Sequence, residues 1–225
     1  MFPPESLLDL DHTDHRKLFE NTVNAWEALR QIGSYLQFRL QPAIEGRLIG
    51  KPFISGAVFI GKGTVIEHGA MIKGPAWIGE GCEIRNGCYV RENVIVGNGV
   101  VMGNSSEFKN SIIFDEAEIP HFNYVGDSVL GNGSHLGAGA ICSNLRLDHK
   151  SVLVHVEGGP VDTGLKKFGA ILGDGAEVGC NAVLNPGTLL GPRSLVMPAI
   201  AFGGVLPPST IARVRQQVTL VPRKF

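Results

Sequence analysis

A branched aliphatic residue occupies every sixth position from Ile54 to Val90. An amphipathic helix repeats its apolar face every three to four residues and a half-buried strand every two, so neither explains this period. Six-residue units of a short strand and a turn do explain it, and they are typical of parallel β-helices. The period predicts a triangular prism with about 18 residues per coil and about 4.8 Å between coils. The members of this ladder are Ile54, Ile60, Ile66, Ile72, Ile78, Ile84 and Val90.

The composition agrees with a repeat protein and argues against several classes of partner. The chain has 30 glycines in 225 residues and 7% aromatic residues, which suits a fold rich in turns. A formal net charge of -1 favours neither nucleic acid nor an acidic membrane surface. No apolar run approaches the roughly 18 residues needed to span a bilayer, and no secretory signal is visible. We therefore expect a cytoplasmic protein with no nucleic-acid or membrane partner.

The hydrophobic pattern divides the chain into three parts. Residues 1–43 are predicted to form an arm and a helix, 44–205 the β-helix, and 206–225 a tail. Residues 1–12 are expected to be a loose arm, followed by a helix from Thr13 to about Leu40 with an apolar stripe. That stripe is expected either to cover the open end of the prism or to contact a partner chain. A short helix is expected between Ser209 and Val218.

The ladder is interrupted in two places that attract attention as possible sites. The pattern becomes irregular over Phe108–Val129 and again over Cys142–Phe168. A regular prism needs no insertion for its stability, and loops carried by a rigid scaffold are favoured places for function. Cys82 and Cys88 occupy the small-residue place of their hexads, so we expect both to be small buried side chains.

Motifs in these two zones resemble a known family. His121-Phe-Asn-Tyr124-Val-Gly-Asp127, followed by Leu136-Gly-Ala-Gly-Ala-Ile-Cys-Ser-Asn144, resembles the acetyltransferase domain of bifunctional glucosamine-1-phosphate acetyltransferase/N-acetylglucosamine-1-phosphate uridylyltransferases. The stretches 144–150 and 163–170 are similar to archaeal-type sugar-1-phosphate nucleotidylyltransferases that carry the same domain. The resemblance covers about 44–205.

The resemblance implies a fold, an activity and a set of site residues. It implies an all-β, left-handed parallel β-helix of hexapeptide repeats, with an N-terminal α-helix added here. It also implies a homotrimeric N-acetyltransferase that uses acetyl-CoA and acts on glucosamine-1-phosphate or a similar amino-sugar phosphate. The implied catalytic residues are His121 and Tyr124. The implied substrate residues are Arg91, Lys109, His135, Asn144, Lys150 and Lys167, and the implied acetyl-CoA residues are Ala138, Gly139, Cys180 and Pro198.

These residue types suit acetyl transfer to an amine. A protonated amine cannot attack, and the imidazole of His121 can remove its proton close to neutral pH. Arg91 and Lys109 suit a phosphate dianion, since arginine offers a bidentate fork and lysine a point charge. Asn144 can donate to and accept from sugar hydroxyls. Backbone N–H groups of the Gly137-Ala-Gly139 turn could face the oxyanion of the thioester.

The chain also departs from the family pattern. Bacterial members have asparagine where this chain has His135, serine where it has Cys180, and tyrosine where it has Leu145. The nucleotide-binding loop of the family's nucleotidyltransferase domain is absent from the residues before the repeats, so uridylyl transfer by this chain alone is not expected. His68, His121, His135, His149 and His155 raise the question of zinc, but their spacing lacks the familiar pair, and we expect no structural metal.

Two alternatives remain open. The chain could be a non-catalytic subunit that trimerises or regulates a separate nucleotidyltransferase, with the apolar stripe between Leu18 and Leu36 as its docking face. It could instead be an acyltransferase that acts on a nucleotide amino sugar, since His135 alters the sugar site.

Overall fold

A computed structural model describes residues 1–215 and 219–223, and its body is a prism with three parallel β-sheets. Face A contains Ala43–Ile44, Val58–Ile60, Ala76–Ile78, Val94–Val96, Ser111–Ile113, Val129–Leu130, Ala170–Leu172, Thr188–Leu190 and Val205–Leu206. Face B contains Arg47–Leu48, Val65–Ile66, Glu83–Ile84, Val101–Asn104, Glu118–His121, His135–Leu136, Glu177–Val178, Leu195–Val196 and Ile211–Ala212. Face C contains Phe53–Ser55, Met71–Lys73, Tyr89–Val90, Glu107–Lys109, Tyr124–Gly126, Ile141–Cys142, Val183–Leu184 and Ala201–Phe202.

The predicted ladder forms the interior of the prism. Ile60, Ile66, Ile72 and the later members are fully buried, while Ile54 in the first coil is partly buried. Each member stacks on the residue one coil away, as Ile60 does on Ile78. Burying each such side chain is worth about 1.5–3 kcal/mol, which holds strands of only two or three residues in place. The predicted all-β, left-handed parallel β-helix of hexapeptide repeats is confirmed.

The first predicted interruption, Phe108–Val129, is wrong. Strands of all three faces continue through it, and Ile113, Ile119 and Val125 are buried in the same core. Val90 pairs with Phe108, eighteen residues on, whereas Phe108 pairs with Val125, seventeen residues on. The turn from face C to face A is one residue shorter in this coil. The six-residue count therefore fails there although the wall does not.

The second predicted interruption does leave the prism. After Cys142 the chain makes a long excursion and returns to face A at Ala170–Leu172. The excursion contains an antiparallel hairpin of Leu153–Val156 and Gly159–Asp162. Val152 and Val154 of this segment are buried in a second core on the outer side of face A.

The predicted single helix from Thr13 to Leu40 is wrong. The α-helix covers only Ile32–Arg39, and the residues before it form short 3-10 turns. Asn21 adopts a left-handed conformation with φ +67°, and Asn24 is extended, so a continuous helix cannot pass through them. The 3-10 turns are Pro4–Ser6, Leu10–His12, Arg16–Leu18 and Ala25–Arg30.

The segment 1–40, here called the N-terminal strap, lies along face A. Rings of His15, Phe19 and Trp26 pack against Trp77, Phe114 and Phe168, with centroids 5.1, 5.7 and 5.9 Å apart respectively.

These contacts overturn three expectations. The strap does not cover the open end of the prism. Its first residues are not a loose arm, because Leu7, Leu8 and Leu10 are buried. The stripe from Leu18 to Leu36 is used inside the chain, so it is not an open docking face.

The prism extends beyond the boundary expected at residue 205. Val205–Leu206 and Ile211–Ala212 add to faces A and B. The helix expected over Ser209–Val218 is therefore wrong where Ile211–Ala212 is a strand, and residues 216–218 of that stretch lie outside the described residues. Within the described part of the chain, no helix has the length and apolar character needed to cross a membrane.

Candidate functional site

The outer side of face C carries three of the predicted site residues, Arg91, Lys109 and Tyr124. Side chains alternate along a strand, so the inward positions of Val90, Phe108 and Val125 turn their neighbours outward. Arg91, which follows Val90, and Lys109, which follows Phe108, therefore occupy the same outer column on successive coils. Tyr124 precedes Val125 and stands in the neighbouring column, where it pairs with Glu107.

Each of the two cations is held by a carboxylate. Arg91 Nη1 donates to Glu107 Oε1 at 3.0 Å, and this hydrogen bond raises the pKa of the guanidinium, which stays charged. Lys109 Nζ donates to both carboxylate oxygens of Asp127, at 3.2 and 3.1 Å. Asp127 is only 5% exposed. The cations are thus oriented before any ligand binds.

Tyr124 and Asn144 meet above a glycine. Asn144 Nδ2 donates to Tyr124 Oη at 3.2 Å and to Asp127 Oδ2 at 2.6 Å. A Cβ on Gly126 would lie 2.5 Å from that Nδ2 and 2.6 Å from that Oη, so the contact requires glycine beneath it. Partial burial raises the pKa of Tyr124, whose phenol is neutral at physiological pH. It can therefore donate a hydrogen bond.

His121 ends a face B strand at the corner where the chain turns toward face C. Its side chain is exposed, and among the described residues no group hydrogen bonds to its ring. The backbone around it is fixed by Asn123, whose Oδ1 accepts from His121 N at 3.0 Å and whose Nδ2 donates to Gly137 O at 2.8 Å. An exposed imidazole on a fixed backbone has the freedom and the solvent access that proton transfer needs.

The predicted acetyl-CoA residues stack in one column along the same corner. Gly139 N donates to His121 O, Asn181 N donates to Ala138 O, and Ala199 N donates to Cys180 O. Ala138, Cys180 and Pro198 thus follow His121 on successive coils.

Only one N–H of the Gly137-Ala-Gly139 turn remains available. Gly137 N donates to Val178 O and Gly139 N donates to His121 O. The N–H of Ala138 has no acceptor among the described residues. We expected several N–H groups of this turn to be available to an oxyanion, but only that of Ala138 is available among the described residues.

His135 lies apart from the other predicted substrate residues. It stands on face B, where its Nδ1 is 3.2 Å from Glu118 Oε2. Together with Cys180, Met197 and Pro198 it lines a largely apolar groove of about 280 Å³. The structure thus brings His135 to the predicted acetyl-CoA residues, and Arg91, Lys109, Tyr124 and Asn144 to one another.

The two predicted lysines lie on the excursion after Asn144, and both are exposed. Lys167 faces Leu145 in an isolated antiparallel bridge, and the next residue, Phe168, donates its N–H to Asn144 O at 2.9 Å. Lys150 follows the ion pair of Arg146 and Asp148 and donates its own N–H to Asp148 Oδ1 at 3.2 Å. Lys167 is therefore the lysine that the fold ties to Asn144.

Three residues of this region carry no prediction from the sequence: Glu107, Asn123 and Asp127. A signal existed for Asn123, since it lies two residues before inward Val125, where Cys82, Cys88 and Ser106 stand in other coils. A large amide at a place for small buried residues indicates a specific hydrogen-bonding role. Glu107 and Asp127 gave no such signal, because their partners depend on the coil register.

The described residues contain no group of three or more histidine, cysteine, aspartate or glutamate side chains able to hold a metal ion. The four cysteines are free thiols; Cys82, Cys88 and Cys142 are buried, and Cys180 is exposed. Burial raises the pKa of Cys82 to about 11, so that thiol stays protonated. Cys82 and Cys88 thus have the surroundings expected of small core residues.

Curated relatives match the second half of this chain. The bifunctional protein GlmU of Methanococcus maripaludis is 43% identical over 90 residues, which are 40% of this chain and 22% of that protein. A bifunctional sugar-1-phosphate nucleotidylyltransferase/acetyltransferase of Sulfurisphaera tokodaii is 39% identical over 92 residues, 41% of this chain and 23% of that protein. The chain thus spans less than a quarter of the length of these two relatives.

Solved structures include the UDP-N-acetylglucosamine acyltransferase of Francisella novicida, which is 15% identical with a TM-score of 0.38. That comparison covers 75% of this chain and 63% of the other. A family model described as the GMPPB C-terminal domain matches residues 72–197, more than half of the chain. The expected relation to sugar-1-phosphate nucleotidylyltransferases with an acetyltransferase domain is confirmed. The chain belongs to the GMPPB C-terminal domain family.

Proposed function

We propose that this chain is an N-acetyltransferase that moves the acetyl group of acetyl-CoA to the amine of an amino-sugar phosphate, with glucosamine-1-phosphate as the first candidate. The observation that carries the proposal is the gathering of Arg91, Lys109, Tyr124 and Asn144 on one face, beside the corner of His121. The Sulfurisphaera relative also carries acetyltransferase in its name.

In the proposed reaction, the amine nitrogen attacks the thioester carbonyl carbon, so a C–N bond forms and the C–S bond breaks. His121 accepts the proton that the amine loses, and the CoA thiolate leaves and is protonated. Within the Gly137-Ala-Gly139 turn, the N–H of Ala138 would donate to the developing oxyanion, because the N–H groups of Gly137 and Gly139 are engaged. Tyr124 is neutral and able to donate at the same site.

The substrate's phosphate would lie against Arg91 and Lys109, and the sugar against Asn144. An apolar groove with His135, Cys180 and Pro198 would take part of acetyl-CoA. We further propose a homotrimer with the site between neighbouring prisms, in which Lys167 or Lys150 reaches the site of the next subunit. Face A is covered by the N-terminal strap, which leaves faces B and C for that contact.

The first test is release of CoA thiol from acetyl-CoA with a panel of amino-sugar phosphates. We expect turnover with glucosamine-1-phosphate and at least a roughly hundredfold lower kcat in His121→Ala, the usual scale for loss of a general base. His68→Ala is the matched control, since the strand register places His68 at the same corner three coils earlier. Wild-type turnover in His121→Ala would remove His121 from the mechanism. No turnover with any acceptor would favour the alternative of a non-catalytic subunit that trimerises or regulates a separate nucleotidyltransferase.

A nucleotide amino sugar is the second candidate, and the column of cations favours it. Lys73 stands one coil before Arg91 in the same outer column, where its Nζ lies 3.0 Å from Tyr89 Oη and 5.2 Å from the ring centre. Coils are about 4.8 Å apart, so three successive cations can follow a chain of two phosphates. Preferred turnover of a nucleoside diphosphate amino sugar in the same panel, weakened by Lys73→Ala, would select this candidate.

A further inference from the structure

A buried carboxylate without an assigned role lies behind the sugar-phosphate residues. Both oxygens of Asp127 accept from Lys109 Nζ, at 3.2 and 3.1 Å. Asn110 Nδ2 donates to Oδ1 at 2.9 Å and Asn144 Nδ2 donates to Oδ2 at 2.6 Å. Asp127 is 5% exposed, so this carboxylate is directed at protein groups and not at solvent. Two side chains of the preceding coil and one of the following coil therefore converge on Asp127.

Asp127 lies in one of two shortened turns of the prism. Inward Val90 and Val94 are four residues apart across the turn from face C to face A, but Phe108 and Ser111 are three apart, as are Val125 and Ser128. Asn110 and Asp127 occupy the two short turns, each with φ +48°. The backbone of Asp127 is held on both sides, since its N–H donates to Lys109 O and its carbonyl accepts from Gly169 N.

The carboxylate decides which polar atoms remain for a ligand. A carboxylate only accepts, so Asn144 must direct its amide NH₂ toward Asp127, and the second hydrogen reaches Tyr124 Oη. The Oδ1 of Asn144 is left as an acceptor for a sugar hydroxyl. Lysine is a flexible point charge, and Asp127 fixes the position of the Lys109 ammonium while leaving one of its three hydrogens free.

We propose that Asp127 is the positioning residue of the sugar-phosphate site, because its carboxylate orients Lys109 and Asn144 toward the ligand. This inference rests on the proposed function. It adds a specificity role: the residue sets which hydroxyls and which phosphate oxygens the site accepts, without touching the substrate.

The test compares Asp127→Asn and Asp127→Ala in the thiol-release assay. We expect the KM for glucosamine-1-phosphate to rise roughly tenfold or more in Asp127→Ala, the scale of one lost hydrogen bond to a charged group. Asp127→Asn keeps the shape of the side chain and one acceptor oxygen. Its KM for glucosamine-1-phosphate should therefore lie between the values of the wild type and of Asp127→Ala. The KM for acetyl-CoA should not change. The residues proposed to bind acetyl-CoA lie at the corner between faces B and C, whereas Asp127 lies in the turn from face C to face A.

A double-mutant cycle separates positioning from general stability. If Asp127 acts through Lys109, the effect of Asp127→Asn on the sugar-phosphate KM should shrink in a Lys109→Ala background, whereas a loss of stability would add independently. Asp115→Asn is the matched control, since Asp115 Oδ1 accepts from Asn98 N at a corner outside the proposed site. That variant should keep the wild-type KM values.

Each outcome has a defined meaning. An unchanged sugar-phosphate KM in both Asp127 variants, or full additivity with Lys109→Ala, would overturn the positioning role while leaving the proposed function intact. A wild-type protein without turnover on any acceptor would overturn the proposed function and this inference with it. Should Asp127→Ala fail to fold, the isosteric Asp127→Asn carries the comparison.

Discussion

Single residues decide whether the side chains of the candidate site can meet. Gly126 lies under the contact of Tyr124 and Asn144, and any β-carbon there would overlap both. The same two side chains are linked to Asp127, so a displacement at Gly126 would spread to the carboxylate. The absence of one methyl group is thus part of the site's geometry.

We expect Gly126→Ala to raise the KM for glucosamine-1-phosphate roughly tenfold, because a displaced Asn144 would lose the proposed hydrogen bond to the sugar. The KM for acetyl-CoA should stay the same. Steady-state kinetics with each substrate varied in turn measures both. Gly203→Ala is a suitable control, since its nearest neighbour, Asn185, would be 3.2 Å away and could adjust. Equal sugar-phosphate KM values in both variants would contradict the close contact.

His15 is a second residue whose surroundings have a measurable effect. It is buried in the N-terminal strap, where Nδ1 bonds to Tyr35 Oη at 3.0 Å and Nε2 has no partner. Burial lowers the pKa of His15 to about 4 from an ordinary value near 6.5. The folded protein therefore holds this histidine neutral at pH values where the unfolded chain protonates it.

The free energy of unfolding should consequently fall as the pH is lowered from about 6.5 to about 4, by on the order of 3 kcal/mol. The sign follows because the unfolded state binds the extra proton. Urea unfolding at several pH values measures the effect, and His15→Gln should flatten this part of the curve. His155→Gln is the control, since His155 is exposed and has no ion pair among the described residues, and its unfolding curve should follow that of the wild type. A wild-type curve equal to that of His15→Gln would disprove the burial effect.

At the scale of elements, the N-terminal strap depends on a few aromatic anchors. Trp26 is 2% exposed and packs on Phe168, at the end of the long excursion. This contact joins the strap to the long excursion, and the prism itself requires neither segment.

Trp26→Ala should lower the free energy of unfolding by about 3–5 kcal/mol, because it removes a large side chain from a closed core. Phe38→Ala should have little effect, since Phe38 is 93% exposed. Denaturant unfolding followed by circular dichroism compares them. Similar losses in the two variants would mean that the strap is not anchored through Trp26.

The elements also show where sequence periodicity succeeds and where it does not. The ladder predicted the inward residues because each coil side there has the same length. It failed at Asn110 and Asp127, because a turn shortened by one residue shifts the count without moving the strands. The nearly helical spacing of Leu18, Trp26, Leu29 and Ile32 predicts one helix for the part of the strap that follows Thr13. Left-handed Asn21 and extended Asn24 break it, and contact with face A supplies the stability instead.

The same contrast holds for the candidate site. Arg91, Lys109, Tyr124 and Asn144 could be found by resemblance, and the fold brings them together. Glu107 and Asp127 could not be found in this way, since their partners lie on adjacent coils and are set by the strand register. The position of His135 on face B, away from that group, also follows from register and not from spacing in the sequence.

At the scale of the whole molecule, the proposed trimer allows a complementation test. His121→Ala and Lys167→Ala subunits, each inactive alone, should regain activity when unfolded together and refolded as a mixture. When equal amounts of the two variants mix at random, each site between two subunits receives an intact His121 with a chance of about one half and an intact Lys167 with the same chance. About a quarter of the sites therefore contain both intact groups. Thiol release measures the recovery.

Refolding each variant separately and then combining the proteins is the control, and it should give no recovery. Lys150→Ala in place of Lys167→Ala tells which lysine crosses the interface. A mixture as inactive as its components would mean that both groups of a site belong to one subunit.

The strap has a consequence for how the array unfolds. A solenoid in which each coil touches only its neighbours can fray from either end, and its stability is a sum of local terms. Here His15 contacts Trp77 near the start of the prism, while Leu7 O accepts from Asp174 N much further along it. Coils that share no contact with each other are thus tied to one segment. Loosening either end of the strap weakens distant coils together, which turns a one-dimensional stack into a single cooperative unit.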